Sequence, residues 1–187
     1  MSRAVIGLDF DGTIAETIPL VIDLLNKRYN RNVSILDIKR YWFNDFFDLT
    51  HEELSEVFAE ILVKNENVEL VDPRIPYILN KFRNFADIYL VTASVARVEY
   101  LKKWLEDKKI RIDGIENIVN KTEFIKGDVF IDDSPHNAHD IAASGKKVIL
   151  LTKHHYVYGN EIEHKNIIKA SSWEEIEKIV PKLFGVE

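Results

Sequence analysis

Two aspartates separated by a single residue follow the first apolar segment of the chain. Residues 4–8 read Ala-Val-Ile-Gly-Leu, and their apolar, partly β-branched side chains predict a buried strand. Asp9 and Asp11 come directly after this strand, and alternate residues of an extended segment point to the same side. Two carboxylates this close repel each other unless one is protonated or a cation lies between them. The motif therefore predicts a site for a hard metal ion, and we expect that site to act on phosphate.

Further apolar segments predict more strands, and segments with helical spacing separate them. These strand segments are residues 88–92, 115–119, 129–131 and 147–151. Strands that alternate with helices indicate an α/β fold with a parallel sheet covered on both faces, and ligands of such sheets bind beyond the carboxyl ends of the strands. Thr92 and the pair Asp132-Asp133 end two of these strands. We therefore expect them to lie beside Asp9 and Asp11.

The segment from residue 17 to about residue 72 shows no strand pattern and predicts helices alone. The helix starts are marked by potential capping residues, which are Thr17, Ser34 with Asp37, and Thr50 with Glu53. We expect the second of these helices to run to about Tyr41. The chain is thus divided into a catalytic core, residues 1–16 and 76–187, and a small helical cap, residues 17–75.

The composition excludes several classes of protein. The 187 residues contain no cysteine, which rules out a disulfide framework, Cys-ligated zinc and a cysteine nucleophile. The net charge of −6 gives no electrostatic footprint for a nucleic-acid polymer, whereas a small anionic ligand is compatible with a metal site. No signal peptide or membrane-spanning run is visible, so we expect a cytoplasmic protein with no membrane partner. The sequence leaves a homodimer open.

Motifs in a fixed order along the chain resemble those of the haloacid dehalogenase (HAD) superfamily of phosphohydrolases. They are Asp9-Phe10-Asp11-Gly12-Thr13, Leu90-Val91-Thr92, Lys121, and Ile131-Asp132-Asp133. The resemblance covers residues 1–16 and about 76–151. It implies a Rossmann-like core with a parallel sheet flanked by helices, and the helical cap is inserted after the first strand. It also implies a phosphatase that uses Mg²⁺.

The resemblance assigns catalytic and metal-binding roles to three aspartates. It implies that Asp9 attacks phosphorus to form an aspartyl-phosphate, and that Asp11 protonates the leaving group and then activates water. It further implies that Asp9, the main-chain carbonyl of Asp11, and Asp133 hold Mg²⁺, an ion that takes oxygen ligands.

By the same resemblance, Thr92 and Lys121 bind the phosphate, and Asp132 orients Lys121 or the water on the metal. Lys126 is an alternative to Lys121 because it lies only five positions further along the chain. The spacing of 11 residues from Lys121 to Asp132 leaves room for a loop and a strand, whereas Lys126 lies close to the start of that strand. This spacing favours Lys121.

Histidines near the predicted site raise the alternative of a zinc ion. His136 and His139 are three residues apart on a predicted helix, and no third ligand is evident beside them. His154 and His155 follow the predicted strand at 147–151, so we expect their loop near the mouth of the site. The sequence assigns none of these histidines a role.

Aromatic residues cluster at the junction of two predicted cap helices, and they are Tyr41, Trp42, Phe43, Phe46 and Phe47. They can form the core of the small cap, or some can stack on a nucleobase. The chain length, the helical insert, and the segment from Lys121-Thr122 to Asp132-Asp133-Ser134-Pro135 resemble the cytosolic type C 5′(3′)-deoxyribonucleotidases and their bacterial relatives. That resemblance implies a nucleoside monophosphate as substrate. Trp42 and Phe43 are our candidates for contact with the base, by position and residue type.

Competing functions remain at this stage. The aspartyl-phosphate could pass to a sugar in a phosphotransferase or mutase, or the substrate could be a sugar phosphate. A dehalogenase is disfavoured because Asp11 serves an oxygen leaving group. A regulatory module that binds phosphate or metal on an inactive core predicts the loss of at least one catalytic acid, and all of them are present.

Overall fold

The protein contains a six-stranded parallel sheet with helices on both faces. The computed structural model describes residues 3–38, 44–64, 68–93, 98–153 and 162–186. The strands are β1 (Ala4–Leu8), β2 (Ala86–Thr92), β3 (Gly114–Asn117), β4 (Val129–Asp132), β5 (Lys147–Leu151) and β6 (Ile167–Ala170). Their order in the sheet is β3-β2-β1-β4-β5-β6, and every neighbouring pair is parallel. This architecture confirms the predicted α/β fold.

The helices pack around this sheet and form the insert after β1. They are α1 (Ile18–Tyr29), α2 (Asn44–Phe47), α3 (His51–Lys64), α4 (Ile75–Phe82), α5 (Val98–Asp107), α6 (Pro135–Ala143) and α7 (Trp173–Leu183). Side chains on alternate positions of the strands enter two different apolar clusters. Leu90 belongs to the larger cluster and Val91 to the smaller one, which packs on α6. Both faces of the sheet are therefore covered, as buried parallel strands require.

The central strand β1 determines where the first aspartate lies. It pairs with β2 on one side and with β4 on the other. The backbone N–H of Asp9 donates to the carbonyl oxygen of Ile131 at 3.0 Å, which continues the β1–β4 pairing beyond the end of the strand. Asp9 is thereby fixed beside the carboxyl end of β4, where Asp132 and Asp133 lie.

Two of the three helices predicted for the insert are present in the structure. Helix α3 begins with the expected capping box, in which Thr50 N–H donates to Glu53 Oε2 at 2.8 Å and Glu53 N–H donates to Thr50 Oγ1 at 3.2 Å. Helix α1 begins after Thr17, although the Thr17 hydroxyl makes no capping hydrogen bond.

The predicted helix from Ser34 to about Tyr41 is wrong. Its capping box with Asp37 is present, but it starts only a single 3₁₀ turn, and Ile38 has an extended backbone. Ile38 is fully buried in the larger apolar cluster, and the extended backbone that carries it there cannot continue the helix. Tyr41, Trp42 and Phe43 lie outside the described residues.

Strand boundaries differ from the sequence in small ways. β2 begins two residues earlier than expected, and β3 spans Gly114–Asn117 instead of residues 115–119. β6 was not predicted, because this four-residue edge strand is only partly buried and carries a lysine at its third position. None of the helices in the described ranges is long and apolar enough to cross a membrane.

Two chain segments connect the sheet to the helical insert, and they pair with each other. Glu16 N–H donates to Glu69 O at 2.8 Å, and Val71 N–H donates to Ile14 O at 3.0 Å. The Lys153 ammonium forms an ion pair with Glu16 and donates to Val71 O at 3.1 Å. The two connections are thus tied to each other and to the segment that follows β5.

Candidate active site

Three buried aspartates meet at the carboxyl ends of β1 and β4. Asp9, Asp132 and Asp133 each place one carboxylate oxygen within 4.8 Å of the others. The two strands are neighbours in the sheet, so residues far apart in sequence come together here. Among the described residues, this is the group of His, Cys, Asp or Glu side chains whose geometry suits a metal ion.

The only cation that contacts this trio within the described ranges is Lys121. It starts a 3₁₀ turn (Lys121–Glu123) between β3 and β4, and its side chain is 4% exposed. Its ammonium contacts a carboxylate oxygen of Asp9 and lies 2.7 Å from Oδ2 of Asp132. Lys126, the alternative from the sequence, instead lies over the ring of Tyr89, 5.8 Å from its centroid.

Asp132 and Asp133 have different surroundings although they are adjacent. Oδ1 of Asp132 accepts the Ser134 backbone N–H at 2.8 Å, and the side-chain amide of Asn137 lies 3.2 Å and 3.3 Å from its two oxygens. Oδ2 of Asp133 is buried and has no hydrogen-bond partner among the described residues. A buried carboxylate oxygen without a partner is costly, and a metal ion at this place would supply the missing partner.

A tight turn at Gly12 brings the backbone of the first motif against Asp133. Gly12 has a φ of +74°, and a β-carbon built at this position would overlap the Asp133 carboxylate. Oγ1 of Thr13 lies 3.3 Å from Oδ2 of Asp9 and 3.4 Å from Oδ1 of Asp133. The buried indole N–H of Trp173 donates to the carbonyl oxygen of Thr13 at 2.9 Å and holds the turn from behind.

Burial and repulsion from neighbouring carboxylates raise the pKa values of Asp9, Asp11 and Asp133. Burial raises the pKa of Asp9 to about 6, against the opposing effect of Lys121. Burial and the charge of Asp9 raise the pKa of Asp11 to about 7. Burial and the charges of Asp9 and Asp132 raise the pKa of Asp133 well above its usual range. Burial opposes the charge on Lys121, but its two aspartate partners outweigh this and raise its pKa. The cluster therefore carries more potential negative charge than one lysine offsets, which fits a divalent cation.

A cleft of about 600 Å³ opens onto this cluster. The sequence-predicted residues that line it are Asp9, Asp11, Thr92 and Lys121, while Asp132 and Asp133 are buried behind them. Helix α3 contributes Leu54 and Phe58 to one wall, and the first turns of α6 contribute His136, Asn137 and Asp140 to another. The cleft thus lies between the sheet and the helical insert.

Phe58 and Asn137 are among the residues of this cleft that sequence reasoning missed. The helical spacing of Phe58 with Leu54 and Leu62 indicates an apolar stripe, and only the folded chain shows that Phe58 is partly exposed and lines the cleft. Asn137 was not singled out, although its position in the first turn of the helix after Asp132-Asp133 was a usable signal.

Neither of the described candidate histidines joins the aspartate cluster, although His136 lines the cleft. His136 and His139 are exposed and lie 3.5 Å and 3.4 Å from carboxylate oxygens of Asp140. Trp42, Phe43, His154 and His155 lie outside the described residues.

Comparison with known proteins adds independent evidence. The model of the family "5′ nucleotidase, deoxy (Pyrimidine), cytosolic type C protein" matches residues 3–184. A nucleotidase of Clostridium acetobutylicum is 26% identical over 190 residues, covering 98% of this chain and 97% of the relative.

Solved structures share the fold. A haloacid dehalogenase-like protein of unknown function from Agrobacterium tumefaciens has a TM-score of 0.67 at 12% identity, covering 98% of this chain and 100% of that one. An HAD-type protein of Bacillus subtilis, YfnB, whose structure contains magnesium, has a TM-score of 0.58 at 15% identity, covering 96% of this chain and 99% of that one. Identities this low speak for the fold alone.

Proposed function

The chain belongs to the family of the 5′ nucleotidase, deoxy (Pyrimidine), cytosolic type C protein, and we propose that its substrates are nucleoside monophosphates. It is a phosphoric monoester hydrolase with an HAD-like fold. We propose that it works with Mg²⁺ and through an aspartyl-phosphate on Asp9. The observation that carries the proposal is that Asp9 and Lys121 are in contact in one cleft, and that the unpartnered carboxylate of Asp133 is buried beside Asp9.

The residues present fit a magnesium ion. The carboxylates of Asp9 and Asp133 and the main-chain carbonyl of Asp11 would hold it, and the buried oxygen of Asp133 would gain its missing partner. When bound, Mg²⁺ offsets the negative charge of the phosphate and of the acids around it. Asp132 is the less suitable ligand because Lys121, Ser134 and Asn137 already occupy its oxygens.

Asp9 is the proposed nucleophile. An oxygen of its carboxylate bonds to phosphorus, and the bond from phosphorus to the oxygen of the leaving nucleoside breaks. Contact with the Lys121 ammonium favours the ionised, nucleophilic form of Asp9 against the effect of burial. Thr13 donates to the other oxygen of Asp9, so the carboxylate has a fixed orientation.

Asp11 is the proposed proton carrier. Its pKa of about 7 allows it to hold a proton at neutral pH and to give it to the leaving oxygen. In the second half of the reaction, Asp11 takes a proton from the water that attacks phosphorus. The bond between phosphorus and Asp9 then breaks, which releases phosphate and restores both carboxyl groups.

Thr92 and Lys121 are the proposed phosphate-binding side chains. Both line the cleft beside Asp9. The ammonium of Lys121 can stay in contact with the oxygens of the phosphoryl group and stabilise the negative charge that develops on them. Asp132 holds Lys121 from behind at 2.7 Å.

The helical insert, residues 17–75, is the proposed cap over the leaving group. Leu54 and Phe58 of α3 give the cleft an apolar wall with an aromatic ring, which suits a nucleobase. Trp42 and Phe43 remain proposed base contacts outside the described residues.

A hydrolysis screen tests the proposed function. The purified chain with Mg²⁺ is offered nucleoside monophosphates, sugar phosphates and phosphoserine, and released phosphate is measured. We expect the highest kcat/KM with a nucleoside monophosphate. Asp9→Asn should abolish turnover while circular dichroism and the melting temperature show a folded protein. A clear preference for a sugar phosphate contradicts the substrate, and retained turnover in Asp9→Asn contradicts the nucleophile.

A further inference from the structure

We propose that Asn137 is a positioning residue for phosphoryl transfer, because its side-chain amide fixes Asp132, which in turn fixes Lys121 against Asp9. This inference rests on the proposed role of Lys121 and extends it to a residue that neither the motifs nor the family resemblance assigned.

The side-chain amide of Asn137 contacts the carboxylate of Asp132. Its Nδ2 lies 3.3 Å from Oδ1 and 3.2 Å from Oδ2 of Asp132, so one amide group bridges both carboxylate oxygens. Its backbone N–H is held by the Oγ of Ser134 at 3.2 Å, which caps α6. Asn137 therefore reaches back from a fixed helical turn to the end of β4.

The position of the Lys121 ammonium depends on Asp132. A lysine side chain has four rotatable carbon–carbon bonds, and its ammonium carries no preferred direction of its own. In the described structure its ammonium donates to Asp132 and Asp9. Since Asp9 is also the proposed nucleophile, Asp132 is the partner that remains in place while Asp9 reacts.

The orientation of the Asp132 carboxylate depends in turn on its own hydrogen-bond donors. The carboxylate torsion of an aspartate is broad, so a single hydrogen bond leaves the plane of the group poorly fixed. The Ser134 N–H holds one oxygen, and the amide of Asn137 contacts both. Loss of that amide lets the carboxylate turn and moves the ammonium of Lys121 relative to the phosphoryl site.

A neutral donor suits this position better than an acid. The cluster already contains three buried aspartates and one lysine. A carboxylate at position 137 would face Asp132 without a hydrogen to donate and would add repulsion. We therefore expect Asn137→Asp to be defective, although it preserves the shape of the side chain.

The matched control is Asn166. Its side-chain amide donates to the carbonyl oxygen of Ala142 at 3.2 Å, near the other end of the same helix α6, and it is also partly buried. Asn137→Ala removes an amide donor that links α6 to the end of β4. Asn166→Ala removes an amide donor that links the residue before β6 to α6. Only the first lies beside the proposed site.

Steady-state kinetics on a nucleoside monophosphate give the first test. We expect Asn137→Ala to lower kcat about 10- to 100-fold, as losses of supporting hydrogen bonds around reactive groups typically do, and to raise KM about fivefold, because Lys121 also contacts the phosphate of the bound substrate. Asn166→Ala should stay within about twofold of the parent chain. An unchanged kcat in Asn137→Ala, or an equal loss in both variants, overturns the proposal.

A double-mutant cycle with Lys121→Met tests the route of the effect. If Asn137 acts through Lys121, then Asn137→Ala lowers kcat less than about twofold when Lys121 is already absent. A full additional loss in that background shows that Asn137 acts elsewhere, for instance on the substrate, and overturns the proposal. Melting curves of each variant confirm that folded protein is compared, and Asn137→Asp serves as the second variant if Asn137→Ala does not fold.

Inorganic phosphate separates this inference from the proposed substrate. Its binding in the presence of Mg²⁺, measured by calorimetry, needs no knowledge of the leaving group. We expect Asn137→Ala to weaken it at least fivefold and Asn166→Ala to leave it unchanged. If the hydrolysis screen finds no nucleotidase activity but phosphate binding shows this difference, the inference stands and the proposed substrate fails. Equal binding in both variants overturns the inference whatever the substrate.

Discussion

A β-carbon on Gly12 would lie 2.9 Å from Cγ of Asp133, and closer still to its Oδ2, so the turn after β1 is packed directly against this carboxylate. Gly12 also has a φ of +74°, in the left-handed region that other residues rarely adopt. The glycine therefore meets two separate requirements, one of backbone conformation and one of space.

Gly12→Ala should lower both stability and activity. The left-handed backbone alone costs roughly 1–2 kcal/mol. The added methyl group also displaces Asp133, and a misplacement of about 1 Å near the reacting groups can cost roughly 100-fold in kcat/KM. Gly145→Ala is the control, because Gly145 has a φ of +91° but no atom within 4 Å of its β-carbon position. We expect Gly145→Ala to lose similar stability and no activity. Equal activity in the two variants would show that the contact with Asp133 does not matter.

The raised pKa of Asp11 predicts a pH-dependent stability in the absence of Mg²⁺. The folded chain keeps the Asp11 proton up to a pH of about 7, whereas an ordinary aspartate releases it near 3.8. Asp11 therefore contributes stability below that lower pH, and the contribution is lost as the pH rises to about 7 and above. Relative to Asp11→Asn, the free energy of unfolding of the parent chain should fall by up to about 4 kcal/mol across this window. Urea unfolding at pH 4 and pH 8 measures it, and an identical difference at both values contradicts the raised pKa.

Magnesium should stabilise the folded chain through Asp133. At a concentration 100 times the dissociation constant, a ligand that binds only the folded state adds about 2.7 kcal/mol, or roughly 5–10 °C in Tm for a chain of this size. We expect this rise for the parent chain and for Glu106→Gln, which changes an exposed acid on α5. In Asp133→Asn the rise should disappear. If Mg²⁺ raises the Tm of that variant as much as it raises the Tm of the parent chain, Asp133 does not bind the metal.

Most of the fold could be predicted because its elements are strongly periodic and bounded by clear signals. The segments 4–8 and 147–151, which are mostly apolar, form β1 and β5 with the predicted bounds. The helix after Ser34 could not be predicted to its end, because the burial of Ile38 depends on partners distant in the chain. β6 gave too short and too polar a pattern to stand out from a loop.

The site could be predicted as far as strand ends determine it. Asp9, Thr92 and Asp132-Asp133 end β-strands of one parallel sheet, and topology alone brings such residues to one edge. Lys121 does not end a strand. Its spacing from Asp132 favours it over Lys126, but its contact with Asp9 depends on the path of the loop before β4, which the sequence does not show. Asn137 reaches back to Asp132 through a side chain, and no sequence period reports such a contact.

Phe58 shows the same limit of sequence analysis in the helical insert. Its helical spacing with Leu54 and Leu62 indicates an apolar stripe, but the period does not tell which edge of the stripe faces the cleft. If its ring stacks on a base, Phe58→Leu should raise KM for a nucleoside monophosphate about tenfold, since such stacking is worth about 1–3 kcal/mol per base. KM for glycerol phosphate, which has no ring, should stay within about twofold. Phe85→Leu is the matched control, because Phe85 is also partly buried but packs on Phe82 and Phe184. Equal changes in KM for both substrates would mean that Phe58 only supports the packing of the cap.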